Sequence, residues 1–405
     1  MNKISVVVVL LTSTLLLNCR VKTGTSSSSK PQPDIDLPQK EFLPVVLGAH
    51  QLGLLLPKLA DKRVALVVNN TSLVGKTHLA DTLLSSGVKL IKIFAPEHGF
   101  RGTADAGEQV KDGKDIRTGL PLISLYGANK KPTPEQMADI DVVVFDIQDV
   151  GVRFYTYIST MHYVMEACAE NNKKMIVLDR PNPNGNYTDG PVLESSFKSF
   201  LGMHPIPLVH GLTVGELAMM INGEGWLNGG VKCELDIVKL RNWRHEDEYS
   251  LSEKPSPNLP NDQAIRLYPS LGLFEGTIMS VGRGTTFPFQ VVGHPDLKDL
   301  SFAFTPESIP GMSKNPPYEN KVCYGIDLRN VVAERKLDLK YLIDIYNAFP
   351  EKDKFFNSKS FDTHVGTSTL REQITRGVTE DDIRRSWEQA LAAYNEKRKQ
   401  YLFYP

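Results

Sequence analysis

The 405-residue chain carries no surplus of either charge: 46 Lys and Arg stand against 47 Asp and Glu, a formal net charge of −1. With no basic excess to neutralise a phosphate backbone, no nucleic-acid partner is expected. Cysteine is scarce, with 4 in all. Cys168, Cys233 and Cys323 share no short spacing, which argues against a zinc site, and buried free thiols are the plain expectation. The apolar run Ile4 to Leu17 is too short for a stable membrane span. No G-x-G-x-x-G follows a strand, and neither a G-x-S-x-G elbow nor an H-E-x-x-H pair occurs. These absences disfavour dinucleotide binding, the usual α/β serine hydrolases and the zinc proteases. Neither a metal nor a cofactor is expected. Asn70-Thr71-Ser72-Leu73-Val74-Gly75-Lys76-Thr77 ends like a phosphate loop, but Asn70 replaces its first glycine and the backbone cradle is lost.

What the N-terminus does have is an export pattern. Lys3 precedes the apolar run, and Leu15-Leu16-Leu17-Asn18-Cys19 resembles a bacterial lipoprotein signal, in which Cys19 becomes the acylated N-terminus. Asn18 departs from the usual small residue, so plain secretion stays open. Residues 1–19 are read as a signal peptide. Residues 20–41, rich in Ser, Thr, Pro and Lys, read as a flexible tether without the apolar mass for a core. The expected location is outside the cytoplasm, periplasmic or anchored to the outer membrane through a lipid on Cys19.

From there the chain alternates. Arg63–Asn70 is a short β-branched apolar run, as in a strand buried on both faces; Lys89–Phe94, Asp141–Asp146 and Lys174–Asp179 read as further strands, and Cys233–Val238 as a strand with alternating apolar residues. Between them, His78–Ser86, Thr160–Glu170 and Val214–Ile221 have helical spacing. Strands separated by helices imply a parallel sheet. The expectation is an α/β fold, with a Rossmann-like domain over 42–261 and a smaller α+β domain over 262–405, closed by an amphipathic helix at Asp381–Lys397.

In such sheets ligands bind beyond the carboxyl ends of the strands. Polar clusters follow four of these strands: Asn69-Asn70; Glu97-His98 with Arg101; Asp146 to Arg153; and Asp179 to Asn184, including Asn182. Glu97, Glu108, Asp146 and Asp149 fall at one edge, and a pair of carboxyl groups can divide acid and base work across a glycosidic bond. Phe94, Phe100, Phe154, Tyr155 and Tyr157 lie close in sequence and suit the CH faces of a sugar ring. The bland alternatives are that Asp146 caps a helix and the tyrosines are core. Arg101, Arg153 and Arg283 can each clamp a carboxylate or pair with a structural Asp. Gly282 and Gly284 around Arg283 argue for a close backbone approach.

The runs Phe94 to Gly102, Gly107-Glu108, Ser124 to Gly127 and Phe145 to Tyr157 resemble those of a bacterial glycoside hydrolase family, once a domain of unknown function, that includes exo-β-N-acetylmuramidases of the NamZ type. Leu178 to Pro183, Glu275-Gly276-Thr277 and Ser280 to Thr285 extend the match from about Leu43 onward. The resemblance implies removal of terminal β-1,4-linked N-acetylmuramic acid from the non-reducing end of peptidoglycan fragments, in a cleft between two domains. It implies Glu97 as general acid, with Glu108 or Asp149 stabilising the cationic sugar or activating water and His98 orienting Glu97. The substrate's own acetamido group can replace a protein nucleophile. Arg101, Arg153 or Arg283 would hold the lactyl carboxylate, and Tyr155 and Tyr157 would floor the sugar site. Asp146, Asn182 and Glu275 are taken as further substrate contacts. A non-catalytic sugar-binding lipoprotein is the rival reading.

Overall fold

The computed structural model describes residues 43–101 and 112–405; the signal segment, Cys19, the tether and Glu108 lie outside the described residues. Pro44–Pro405 form one compact unit. Its centre is a seven-stranded sheet: β1 (Val64–Val68), β2 (Leu90–Ala95), β3 (Gly113–Lys114), β4 (Pro121–Ser124), β5 (Val142–Asp146), β6 (Lys174–Leu178) and β7 (Glu234–Val238). The spatial order is β3-β4-β2-β1-β5-β6-β7. The edge pair β3–β4 is antiparallel and the remaining neighbours are parallel. Five of these strands stand where the apolar runs place them.

Alternation of side chains divides each central strand between two cores. Val64, Leu66 and Val68 of β1, Val142 and Val144 of β5, and Ile176 and Leu178 of β6 pack on one face. There they meet Leu55 and Leu59 of helix α1 (Leu52–Leu59) and Leu79 and Leu83 of α2 (Leu79–Ser85). Ala65, Val67, Val143, Phe145, Met175 and Val177 point the other way, onto α3 (Tyr157–Glu170) and α4 (Val214–Gly223). That second core runs on without a break into Leu271, Phe274, Phe289, Phe361 and Trp387 of the C-terminal part. Burial on both faces is why these strands read as continuous apolar runs rather than alternating ones.

After α5 (Asp262–Leu271), whose first turn is capped by Asn261 accepting from the Ala264 N–H, the chain turns to antiparallel strands and helices. Three antiparallel strands, β8 (Val291–His294), β9 (Phe302–Phe304) and β10 (Cys323–Asp327), form a small sheet in the order β8-β10-β9. Helices α6 (Lys340–Ala348), α7 (Ser358–Val365), α8 (Thr369–Thr375) and α9 (Glu380–Arg398) follow. The Thr379 side chain caps α9, and Glu380, Asp381 and Asp382 occupy its first turn, where the helix dipole favours them. The phosphate-loop look-alike is instead a hairpin pairing Leu73–Val74 with Thr77–His78 around Gly75.

Sequence order reverses between β1 and β5, the usual place for a ligand. Here that point is filled by protein. Ser72 Oγ donates to the Asp146 carbonyl, Asn69 Oδ1 accepts from the Thr71 N–H at 2.9 Å, and Arg180 forms a two-pronged pair with Asp146 at 2.6 and 2.9 Å. The open space lies one strand over, beyond the carboxyl end of β2.

Candidate active site

The chain leaves β2 at Ala95 and reaches Glu97 and His98 at once. His98 has φ 66° and Gly99 φ 76°, both left-handed, so the backbone turns sharply just after Glu97. For histidine that conformation is uncommon and needs support from its surroundings. The opposite wall begins where β5 ends, through Phe154, Tyr155 and Thr156 into the first residue of α3. Thr156 stands at the N-cap of α3 without capping it; its hydroxyl donates instead to Glu97 Oε2 at 3.0 Å. Burial, with the Glu97 carboxylate nearby, raises the Tyr126 pKa, so the phenol keeps its proton. Burial and then Glu97 act in the same direction on Tyr157.

Glu97, His98, Phe154, Tyr155, Thr156 and Tyr157 line a cleft of about 450 Å³. Tyr155 and Tyr157 meet edge to face at 4.9 Å, and Tyr268 of α5 stands edge-on to Phe154, Tyr155 and Phe289 at 5.2, 5.9 and 4.9 Å. The result is an aromatic wall with polar tips. The Tyr155 hydroxyl donates to the Pro255 carbonyl at 2.7 Å and so holds the Ser256–Leu259 loop that closes one side.

Facing it from the C-terminal part are Glu275, Arg283 and His364. Arg283 Nε and Nη2 both donate to Glu275 Oε1, at 3.0 and 2.6 Å. Burial opposes the Arg283 charge, but the adjoining Glu275 carboxylate prevails and raises its pKa. Arg283 Nη1 is buried with no protein partner. Gly282 and Gly284 both have left-handed backbones, and a Cβ on Gly284 would fall 2.6 Å from the Glu307 carbonyl oxygen. The close approach expected from those glycines is real. His364 packs on Phe154 at 4.6 Å, its Nε2 has no partner, and burial lowers its pKa, which keeps the ring uncharged near neutrality.

Of the twelve residues singled out by sequence, Glu97, His98, Tyr155, Tyr157, Glu275 and Arg283 come together in the cleft. Five others do not line it. Arg153 is fully buried; its guanidinium donates to the carbonyls of Pro191 (3.0 Å), Ile206 (2.7 Å) and Val365 and meets no carboxylate. Asp146 is bound to Arg180. Asn182 bridges the Leu212 carbonyl and the Asn184 N–H. Asp149 accepts from the Gly151 N–H at 2.7 Å and lies 3.5 Å from His210. Arg101 forms two 2.9 Å bonds with Asp115 and stacks on Phe100 at 4.5 Å. Arg101 thus pairs with a structural Asp, while Asp146 pairs with Arg180 instead of capping a helix and Arg153 serves carbonyls instead of an Asp. Glu108, the remaining one, lies outside the described residues.

The Arg101–Asp115 pair has a measurable signature. Burial alone would raise the Asp115 carboxyl, but hydrogen bonds from Arg101 and Thr118 outweigh it and bring the pKa down to about 2. Because the folded value lies below that of the unfolded chain, the pair stabilises above about pH 4, and that stabilisation is lost as pH falls towards 2. With Arg101 partly in solvent, the contribution is about 1–2 kcal/mol. Asp115→Asn is expected to lower Tm at pH 7 and to flatten the acid limb of a Tm-against-pH curve between 4 and 2.

Thr156, Ser256, Asn258, Tyr268, Phe289 and His364 also line the cleft and were not read from sequence. The prolines at 255, 257 and 260 mark the Asn258 loop as shaped. Tyr268 and His364 sit on helices whose polar faces give no such signal.

A parallel α/β sheet whose cleft combines an aromatic wall, a hydroxyl-held carboxylate and an Arg–Glu pair defines a glycosidase-like protein. The chain belongs to the NamZ family: the N-terminal family model, described as exo-β-N-acetylmuramidase NamZ, matches residues 64–263, and the C-terminal one matches 266–404. It is 38% identical to the peptidoglycan β-N-acetylmuramidase NamZ of Bacillus subtilis (strain 168), over 94% of this chain and 96% of that one. Two crystal structures of DUF1343 family proteins from Bacteroides fragilis NCTC 9343 superpose on it. One is 45% identical with a TM-score of 0.83 and the other 31% identical with 0.76; each match covers 89% of this chain and 99% of the other. The chain is thus a member of a glycoside hydrolase family.

Proposed function

We propose that the protein is an exo-acting glycosidase that releases terminal β-1,4-linked N-acetylmuramic acid from the non-reducing end of peptidoglycan fragments. The observation that carries this reading is the presence of Glu97 and Arg283 in one aromatic cleft: a proton donor for a glycosidic oxygen and a cation for a carboxylate. The cleft suits a single decorated sugar ring better than a long glycan, which favours exo action. The B. subtilis relative's name supports the substrate class.

In this mechanism Glu97 protonates the leaving oxygen while the substrate's own acetamido oxygen bonds to the anomeric carbon; water then adds to that carbon and opens the ring so formed, its proton returning to Glu97, whose carboxylate the Thr156 hydroxyl holds. Glu275 orients Arg283, whose Nε and Nη2 both donate to its Oε1. Arg283 Nη1 then takes the lactyl carboxylate. A neutral N-acetylglucosamine would leave it buried and unpaired, which is the basis of selectivity. We place the enzyme outside the cytoplasm, tethered through an acylated Cys19.

The direct test is release of N-acetylmuramic acid from a chromogenic β-muramide, followed by mass spectrometry. Binding with no product would establish the rival reading of a sugar-binding lipoprotein. Arg283→Ala is expected to raise KM for the muramide roughly tenfold or more, the scale of one lost charge-assisted contact, with a smaller change for a glucosaminide. Equal effects on both would remove the clamp. Labelling with a radioactive fatty acid, present in the wild type and lost in Cys19→Ser, checks the anchor.

A further inference from the structure

Among the described residues, besides Arg283 Nη1 and His364 Nε2, one more buried side-chain polar atom on a residue lining the cleft has no partner: Asn258 Oδ1. An imidazole nitrogen can donate or accept, so His364 alone specifies no ligand group. Asn258 does. Its Nδ2 donates to the Met312 carbonyl at 2.8 Å, which fixes the amide orientation and leaves Oδ1 as an acceptor only. The residue is almost wholly buried, and its loop is held by the Tyr155 hydroxyl on Pro255 and by the Leu259 N–H on the Ser256 carbonyl at 3.2 Å. A pre-set, unpaired acceptor of this kind calls for a ligand N–H or O–H.

We propose that Asn258 Oδ1 accepts a hydrogen bond from the acetamido N–H of the bound sugar, making Asn258 the specificity-determining residue for the N-acyl group as Arg283 is for the lactyl group. The inference rests on the muramidase reading and deepens it. It divides recognition between two walls: a charge contact from the Gly282–Gly284 turn and a neutral contact from the 255–260 loop. A hydroxyl at the same ring position also donates, but it brings neither the acyl carbonyl nor the methyl that the aromatic wall would cover.

The test uses three ligands in calorimetric titration: N-acetylmuramic acid, its analogue methylated on the amide nitrogen, and N-acetylglucosamine. Methylation removes the N–H and keeps the acyl group. The wild type is expected to bind the N-methyl analogue about tenfold or more weakly than the parent sugar. Asn258→Ala should bind the two within about twofold while keeping its preference for the lactylated sugar over N-acetylglucosamine. A mere loosening of the backbone at Met312, which Asn258 holds, would weaken all three alike, and that result overturns the proposal. Undiminished discrimination by Asn258→Ala, or none by the wild type, also overturns it and leaves the muramidase reading intact. A wild type that binds no N-acetylmuramic acid at all removes both.

Discussion

Glu97→Gln should give a protein that folds as the wild type does, binds N-acetylmuramic acid with little loss, and turns over a chromogenic β-muramide on the order of 10²–10⁴-fold more slowly. Glutamine keeps the length of the side chain and still accepts the Thr156 hydroxyl, so the cleft stays shaped while the transferable proton is gone. The effect should fall on kcat rather than KM, because the proton moves only in the transition state. A leaving group that needs no protonation, such as a dinitrophenolate, should recover much of the first step. Near-normal kcat on an unactivated disaccharide would remove Glu97 from the acid role.

Arg153→Ala should do the opposite, acting on stability first. The guanidinium serves three buried carbonyls, at Pro191, Ile206 and Val365, that lie far apart along the chain. Its loss leaves those acceptors unpaired at about 1–3 kcal/mol each, together with a cavity. With partial relaxation the expected destabilisation is about 3–5 kcal/mol, seen as a lower urea midpoint at unchanged slope. Burial lowers the pKa of this arginine to about 9, as expected of a cation held only by dipoles. Selective loss of muramide binding with an unaltered melting curve would restore the clamp reading of Arg153.

The contrast between Arg153 and Arg283 shows where sequence reading stops. Each lies within two residues of a glycine and each offered a carboxylate clamp; only packing separates a guanidinium whose two terminal nitrogens serve carbonyls away from the cleft from one with an unpaired terminal nitrogen on a cleft residue. Asp146 and Asp149 were legible as strand-end residues but not as structural ones, since their partners Arg180 and His210 are remote or come from other loops. The central strands were legible because burial on both faces writes an unbroken apolar run. Strands β3 and β4, at one side of the sheet, were not: they are short, and Pro121 opens one of them. Helix α1 was hidden by Gly53 and Pro57 within eight residues. Asn258 and His364 carry their meaning in atoms left unbonded after folding, which no local pattern encodes.

Thr156 has its own consequence. Because its hydroxyl serves Glu97 rather than the first turn of α3, the acid is moored to the end of a helix eleven of whose fourteen residues are buried. Substitutions deep along that rod, at Met161, Met165 or Cys168, would therefore be felt as changed turnover before they are felt as lost fold. Selection for activity at a new temperature should gather its mutations there, remote from the sugar they retune.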